Sequence, residues 1–340
     1  MNLIRKETSV EKTEDEVMLK ELNFLGYTYC PMKQTFRENF EELSIKYYEE
    51  TGDKLKYYMP SGCENDNIYD DMWKVDNIDD FPDIVVSCGF DQFLRKEFVD
   101  KFVKKGYFKA VEFDNLRSEF CTSNFRDPEG WYTIYSVSPI VLLIDKKKLE
   151  SLPMPQKWSD LLNPIYKDNI IIGGSSDIIH EDLLLDIYKE QGELGIEKFA
   201  RNIKSVCHAS KMAKIAGTNS IEGAAIYVIP WFFAKACPRT EFVEIVWPEE
   251  GAIVTPMYML AKKTKLEDLK MITDFITGSF YGKKSADNYF PVLNPCIDNK
   301  VPENSTFKWL GWDYIRENSI EELKIHVCEV FKKNWPNNPF

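Results

Sequence analysis

The segment FPDIVVSCGF, residues 81–90, carries the continuous apolar run Ile84-Val85-Val86. Such a run is typical of a strand covered on both faces, because a strand with one wet face alternates polar and apolar side chains. Two earlier segments, LNFLGYTY and KLKYYM, are also strand-like, and residues 33–50 between them have helical spacing. Strands that alternate with helices predict a parallel sheet with helices packed against it.

The alternation continues along the chain and predicts an α/β fold throughout. SPIVLLID, NIIIGG and GAIVTPMYMLAKK are extended runs, and residues 181–202 form an amphipathic helix with a glycine break near 192–195. Gly52 is placed to end the first helix, since glycine reaches the left-handed conformation at little steric cost. With 340 residues, the chain is long enough for two lobes.

Charge and hydropathy exclude two classes of partner. The net charge of −12 provides no basic stripe for phosphates, so we expect no nucleic-acid binding. No run of about 18 apolar residues occurs, so we expect no membrane insertion. Residues 1–20 form a polar lead-in that does not resemble a secretory signal. This predicts a cytoplasmic location for the chain as given, or an extracytoplasmic one if the N-terminus was trimmed.

The cysteine pattern favours neither a disulfide framework nor a zinc site. The eight cysteines are widely and irregularly spaced, without a CxxC pair, and we interpret them as reduced thiols. The sequence also lacks the GxxxxGK[ST], GxGxxG, HExxH and GxSxG motifs. We therefore predict no cofactor and no enzymatic activity, and leave open whether a metal is bound.

Several segments resemble the extracellular solute-binding proteins of ABC importers, of the ferric-iron and polyamine type (solute-binding family 1). WSDLLNPIYKDNIIIGG is similar to the helix–turn–strand module of that family. GAIVTPMYMLAKKTKLEDLKMITDFITGSFYGKKSADNYFPVLNP is similar to its return segment, with a crossover strand, a lysine-bearing turn and an aromatic-Pro-Val loop. The resemblance covers roughly 22–330 and is densest over 131–295.

The resemblance implies a two-lobed type II periplasmic-binding-protein-like fold, each lobe a mixed sheet flanked by helices, joined by crossover strands. Lobe 1 would comprise 21–130 and 255–340, and lobe 2 would comprise 131–254. Hinges are expected near Trp131–Ser138 and Gly251–Pro256. In open α/β sheets, ligands bind beyond the carboxyl ends of strands, which turns the strand pattern into a set of candidate residues.

Two cysteines stand at predicted strand ends of lobe 1. Cys30-Pro31 ends the first strand and opens the first helix, where proline is well tolerated. Cys88-Gly89 ends the third strand on the same side. We predict that these four residues contact a ligand. A structural role, a thiolate nucleophile and a soft metal ligand remain alternatives for Cys30 and Cys88.

In lobe 2, the loop after NIIIGG contains Ser175, Ser176 and Asp177, which could bind a ligand or only cap the next helix. His180, one turn further along, is a lesser candidate for ligand contact. The resemblance also implies ligand contacts at Thr218-Asn219, where turn chemistry explains the residues equally well. It implies contacts at Tyr135-Ser136, on the first crossover strand.

The stretch Ile229-Pro230-Trp231-Phe232-Phe233 departs from the ferric-binding pattern. Relatives of that type carry adjacent tyrosines here, whose phenolates bind iron, whereas Trp and Phe cannot ligate a hard cation. We therefore expect no direct tyrosinate binding of iron. Trp231 and Phe232 would instead form an apolar or cation-accepting wall, unless they only pack the core.

Together these features predict a non-enzymatic solute-binding protein that holds a small molecule or ion between its lobes. Its partner would be an ABC permease, or it would act as a cytoplasmic carrier or sensor. The alternative is a cytoplasmic enzyme, or a thiol-dependent metal- or cofactor-binding protein, that uses Cys30 or Cys88. By analogy, we expect a monomer.

Overall fold

The computed structural model describes residues 22–60, 69–90, 92–174 and 181–337. Within these ranges, ten strands belong to one sheet. They are β1 Phe24–Gly26, β2 Tyr57–Tyr58, β3 Ile84–Cys88, β4 Thr133–Asp145, β5 Ile170–Gly173, β6 Ile203–Cys207, β7 Ile226–Pro230, β8 Val243–Val246, β9 Ala252–Ala261 and β10 Phe307–Lys308.

The α-helices lie between and after these strands. They are α1 Cys30–Thr51, α2 Lys96–Lys101, α3 Lys146–Leu149, α4 Glu181–Asn202, α5 Ala209–Ile215, α6 Trp231–Lys235, α7 Lys270–Thr277, α8 Ser279–Asp287, α9 Trp312–Glu317 and α10 Ile320–Asn334. Short 3₁₀ turns occur at Met72–Lys74, Ile78–Asp80, Gln92–Leu94, Val103–Lys105, Ser118–Phe120, Ser159–Leu162, Pro164–Tyr166 and Lys263–Lys265.

The strand order is β2-β1-β3-β9-β4-β7-β5-β6, with one lobe on each side of the central pair β9 and β4. In lobe 1, β1 pairs in parallel with β2 and β3. In lobe 2, β5 pairs in parallel with β6 and β7. The sheet becomes mixed where β9 runs antiparallel to β3 and where β4 runs antiparallel to β7. The predicted α/β fold with two lobes and mixed sheets is confirmed.

The long strands β4 and β9 are the crossovers between the lobes. The first part of β4 pairs with β9, and its second part, from Ile140, pairs with β7 and β8. Every residue of both strands is buried. A strand covered on both faces shows no alternation of polar and apolar residues, as the sequence of each indicates.

Local chemistry sets the bounds and shape of the two long helices. α1 begins at Cys30 with Pro31 in its first turn and ends at Gly52, whose N–H donates to the Tyr48 carbonyl at 2.9 Å. Gly52 has φ 79°, as its predicted role at the helix end requires. α4 is kinked at Gly192, which has φ 63° and ψ −163°, within the predicted glycine break.

An aromatic core fixes α1 onto the lobe 1 sheet. Phe24 of β1 stacks on Phe40 of α1 with ring centroids 4.3 Å apart, and Phe36 packs edge-on against Tyr281 at 5.1 Å. All four side chains are at most 1% exposed. Burying an aromatic side chain contributes about 1.5–3 kcal/mol, so this packing fixes the position of Cys30 at the helix start.

The lobe boundaries at 130/131 and 254/255 stay a prediction. The C-terminal helix α10, which the sequence assigned with lobe 1, packs against α4 of lobe 2. Phe331 of α10 contacts Phe199 of α4, and Trp335 donates through Nε1 to the Ile203 carbonyl at 2.9 Å. The C-terminal segment therefore returns across the molecule and covers the second lobe.

Candidate functional site

The strand ends of both lobes meet at one cavity, which we call the cleft cavity. The start of α1 follows β1, Gly173 ends β5, Pro230 ends β7, and His208 follows β6. These positions lie beyond the carboxyl ends of strands, where ligands bind in open α/β sheets. The sequence pattern predicted this placement for Cys30 and for Gly173.

The cleft cavity has a volume of about 200 Å³ and is lined by both lobes and both crossover strands. Its lining consists of Tyr29, Cys30, Pro31, Ser138, Ile140, Ile172, Gly173, Asp182, Leu183, His208, Ala209, Val228, Pro230, Phe232, Phe233, Thr255 and Phe290. Most of these side chains are apolar. Mostly apolar concave sites with few polar groups are typical of small-molecule binding sites.

A chain of aromatic rings runs along the cavity wall from lobe 1 to lobe 2. Tyr29 stacks on Phe290 with centroids 5.9 Å apart, and Phe290 lies 6.0 Å from Phe232. Phe232 meets Phe233 edge-on at 5.1 Å, and Phe233 meets the His208 ring at 5.8 Å. We call these five residues the aromatic arc. Each contact lies within the range of favourable ring pairing.

The polar groups of the cavity are few and partly held by neighbours. Thr255 of β9 donates through Oγ1 to Asp182 Oδ2 at 2.5 Å, which ties the return crossover to the start of α4. His208 Nδ1 accepts from the backbone N–H of Ser210 at 3.2 Å and lies 2.7 Å from its hydroxyl. Ser138 of β4 also lines the cavity and is buried. These groups can orient a ligand that is otherwise held by apolar contact.

The predicted residues at the two lobe 1 strand ends are not equivalent. Cys30 is exposed and lines the cavity together with Pro31. Cys88 is half-buried, pairs with Met257 across the sheet, and is absent from the cavity lining. Gly89 has φ 88° and donates its N–H to the Pro256 carbonyl at 3.0 Å. The structure therefore brings Cys30 to the cavity, and Gly89 to the crossover strand β9.

Tyr135 and Ser136 lie inside the protein. Tyr135 is 1% exposed, and burial raises the pKa of its hydroxyl well above the ordinary value, with smaller effects from Tyr281 and Cys88. Ser136 is fully buried, and its hydroxyl donates to the Pro291 carbonyl at 2.9 Å. Neither residue lines the cleft cavity.

Two further predictions fall elsewhere. Thr218 lies at the opposite end of lobe 2, where its hydroxyl donates to the Ile215 carbonyl at 2.6 Å, and Asn219 follows it. The preceding Gly217 donates its N–H to Asp145, at the far end of β4. Ser175, Ser176, Asp177 and His180 lie outside the described residues, so their predicted roles stay predictions.

Trp231 packs in the interior, whereas its two neighbours face the cavity. It is 2% exposed and meets Trp247 at 5.3 Å and Tyr289 at 5.1 Å. Phe232 and Phe233 carry the apolar wall that the sequence assigned to Trp231 and Phe232. Tyr227, the nearest phenol to this stretch in sequence, is buried, and its oxygen accepts the N–H of Ala224 at 3.1 Å.

Sequence reasoning missed several lining residues of the site, among them Asp182, His208, Thr255 and Phe290. His208 caps α5 directly after β6, and locating the short strand IKSVC would have placed it at a strand end. Phe290 stands in the aromatic-Pro-Val loop that carried the family resemblance. Thr255 and Asp182 reach the cavity through long-range packing, for which the sequence holds no local signal.

No group of three or more His, Cys, Asp or Glu side chains that could hold a metal ion occurs among residues 22–60, 69–90, 92–174 and 181–337. Across the same ranges, no helix is both long and apolar enough to span a bilayer.

Comparison with known proteins gives one family and one fold. A family model described as bacterial extracellular solute-binding protein matches residues 79–318. No match was found among curated protein sequences. Similar solved structures include an ABC transporter protein from Clostridium perfringens, with 13% identity, a TM-score of 0.63, and coverage of 93% of this chain and 100% of that one.

Two further structures are similar over nearly the whole chain. Ferric iron-binding protein A of Mannheimia haemolytica, in an open conformation, has 13% identity and a TM-score of 0.61, covering 93% of this chain and 99% of that one. A Trichodesmium protein solved with iron and citrate has 15% identity and a TM-score of 0.62, covering 92% and 98%. At such identities the likeness establishes the fold.

Proposed function

Because the chain belongs to the bacterial extracellular solute-binding protein family, we propose that it captures a small organic solute in the cleft cavity and delivers it to an ABC-type permease. The observation that carries this proposal is the aromatic arc, which crosses from lobe 1 to lobe 2 along the cavity wall. A ligand packed against it contacts both lobes at once, so its binding energy favours lobe closure.

The chemistry of the cavity indicates the kind of solute. A volume of about 200 Å³ corresponds to roughly seven water molecules at about 30 Å³ each, which suits a small metabolite. Aromatic rings bind the apolar or ring portion of such a molecule. Asp182 and Ser138 accept hydrogen bonds from its polar end, and His208 forms the lobe 2 end of the arc.

A bare ferric ion is a poorer match. The ring positions at 231–233 provide Trp and Phe, which have no oxygen to offer a hard cation. Asp182 is already hydrogen-bonded to Thr255, so the described lining holds a single carboxylate that is engaged within the protein. The iron named for two similar structures therefore does not transfer to this chain under the proposal.

Closure would use the predicted hinges near Trp131–Ser138 and Gly251–Pro256. Two local features support this location. β4 has a register irregularity against β9 between Ile134 and Ser136. Gly251 adopts φ 101°, and a Cβ there would meet Thr306 at 3.0 Å, so only glycine fits the turn into β9.

Native mass spectrometry of the freshly purified protein tests the proposal. We expect one retained organic molecule per chain, released on denaturation. Phe233→Ala removes a ring of the aromatic arc and is expected to abolish retention. Phe280→Ala removes a phenylalanine that is 59% exposed and outside the cavity, and is expected to leave retention intact.

Titration with ferric nitrilotriacetate separates the organic-solute proposal from iron binding. We expect no visible phenolate-to-iron absorption band and no saturable iron uptake. Stoichiometric iron uptake that survives Phe233→Ala would contradict the proposed solute class. Retention of the same organic molecule by wild type and Phe233→Ala would contradict the proposed site.

A further inference from the structure

The sheet narrows to two strands in the middle of the crossovers. We call this part the waist: Ser138–Pro139 of β4 and Val254–Pro256 of β9, which pair with each other. On the other edge of β4, Val137 donates its N–H to the Pro291 carbonyl at 2.9 Å, and pairing with β7 begins at Ile140. Among the residues that the structure describes, no third strand pairs with β4 between these two points.

The outer edge of β9 has a gap at the same level. Ala252 and Ile253 pair with β10, and pairing with β3 of lobe 1 begins at Met257. The Pro256 carbonyl accepts the N–H of Gly89, which follows β3, at 3.0 Å. The waist therefore joins two wider parts of the sheet. Bending here distorts fewer ladder hydrogen bonds than bending anywhere else along the crossovers.

Each gap contains a proline, Pro139 in β4 and Pro256 in β9. Proline has no N–H, so in a central strand it normally costs a ladder hydrogen bond. The N–H and C=O of one residue point to the same edge of a strand, and alternate residues share an edge. The bonds of Pro256 to Gly89 and of Val137 to Pro291 therefore place both proline nitrogens at the outer edges. The prolines keep these edges unpaired without weakening the pairing of β4 with β9.

Two hydroxyl groups lie on the cavity face of the waist. Ser138 and Thr255 are direct cross-strand partners, line the cleft cavity, and are 7% and 3% exposed. The Cβ atoms of such a pair are about 4.5–5.5 Å apart, so one small solute can contact both residues. The Ser138 hydroxyl has no hydrogen-bond partner within the described part of the chain. The Thr255 hydroxyl donates to Asp182 at 2.5 Å, and its oxygen can still accept a hydrogen bond from a solute.

We propose that Ser138 and Thr255 are positioning residues through which a captured solute sets the angle between the lobes, with the waist as the bending point. A solute that hydrogen-bonds to both residues holds the two crossover strands in one relative orientation. Thr255 also ties β9 to Asp182 of α4, so the same contact fixes lobe 2 against the waist. This inference rests on the proposed solute capture. It confines the hinges predicted near Trp131–Ser138 and Gly251–Pro256 to the C-terminal ends of both segments.

Small-angle X-ray scattering of the full chain tests the proposal. The protein is measured as purified with its retained molecule, and again after that molecule has been removed by unfolding in urea and refolding. For wild type, we expect a smaller radius of gyration with the molecule than without it. Ser138→Ala and Thr255→Val each remove one hydroxyl. We expect each to lose at least half of this difference, while native mass spectrometry still finds the molecule held by the aromatic arc.

Two matched controls change the same residue types on β4 outside the cavity lining. Ser136 and Thr133 are buried, and both hydroxyls are hydrogen-bonded, to the Pro291 carbonyl and the Val111 N–H respectively. We expect Ser136→Ala and Thr133→Val to keep the full difference in radius of gyration, because neither residue lines the cavity.

Hydrogen exchange of the solute-free protein measures the waist independently of any solute. Thr255→Val breaks the bond to Asp182, and we expect the amides of 253–257 to exchange about tenfold faster than in wild type. Thr133→Val is expected to leave them unchanged. Unchanged exchange at 253–257 in Thr255→Val would overturn the proposal.

A difference in radius of gyration as large in Ser138→Ala and Thr255→Val as in wild type would also overturn it, with the proposed function intact. A wild-type protein that retains no molecule would contradict the proposed function instead. The exchange of 253–257 would then still decide whether Thr255 controls the waist.

Discussion

The buried hydroxyl of Tyr135 gives a sharp test of how the crossover strands are packed. Tyr135 is 1% exposed in β4, and its hydroxyl has no hydrogen-bond partner among the residues that the structure describes. Burial raises the pKa of this hydroxyl well above its ordinary value, so it stays neutral and bears the full cost of lost hydration. Tyr135→Phe removes this oxygen and keeps the ring.

An unpaired buried polar group costs about 1–3 kcal/mol, because its bonds to water are lost without replacement. We therefore expect Tyr135→Phe to raise the free energy of unfolding by about 1–2 kcal/mol. Tyr132→Phe is the matched control. The Tyr132 hydroxyl donates to the Phe93 carbonyl at 2.7 Å, so its removal is expected to lower the free energy of unfolding by about 1 kcal/mol.

Equilibrium unfolding in urea, followed by circular dichroism near neutral pH, measures both effects, with an unchanged m-value as the check on a common unfolded state. Native mass spectrometry of Tyr135→Phe also tests the predicted ligand contact, and we expect solute retention to be unchanged because Tyr135 does not line the cleft cavity. If Tyr135→Phe destabilises the protein as much as Tyr132→Phe, the hydroxyl has a partner and the reasoning is refuted.

Three further predictions concern stability, pH and the cleft. Asp127→Ala leaves Arg316 and three backbone N–H groups without their partner, and is expected to lower the free energy of unfolding by about 3 kcal/mol or more in urea unfolding. Asp76→Ala removes an exposed carboxylate that pairs with Lys101, and is expected to leave the free energy of unfolding nearly unchanged. Burial raises the pKa of Tyr281 above its ordinary value, so its hydroxyl loses the proton at a lower pH in the unfolded chain than in the folded one. The free energy of unfolding therefore falls as pH rises above about 10, by about 1.4 kcal/mol at one pH unit higher. Urea unfolding of Tyr281→Phe at several pH values is expected to show a flatter dependence of stability on pH. Maleimide labelling at Cys30 is expected to block solute retention, whereas labelling at Cys296, which is also exposed and lies outside the cavity lining, is expected to leave retention intact. Equal effects of the two labels would contradict the cleft assignment.

The sequence determined those features that depend on neighbouring residues. Periodicity and turn chemistry gave the alternating strands and helices, the end of α1 at Gly52 and the kink of α4 at Gly192. They also placed Cys30 and Gly173 at strand ends, and the structure brings both to the cleft cavity. These features follow from local backbone preferences, which a short window of residues contains.

The tertiary structure decided which side chains meet. The aromatic arc includes Tyr29, Phe232 and Phe290, although more than 250 residues of sequence separate Tyr29 from Phe290. The crossover strand β4 is buried on both faces and shows no alternation, so its sequence could not tell whether Tyr135 faces the cavity or the core. The register irregularity against β9 between Ile134 and Ser136 decides that choice, because an extra residue at a bulge changes the direction of its side chain.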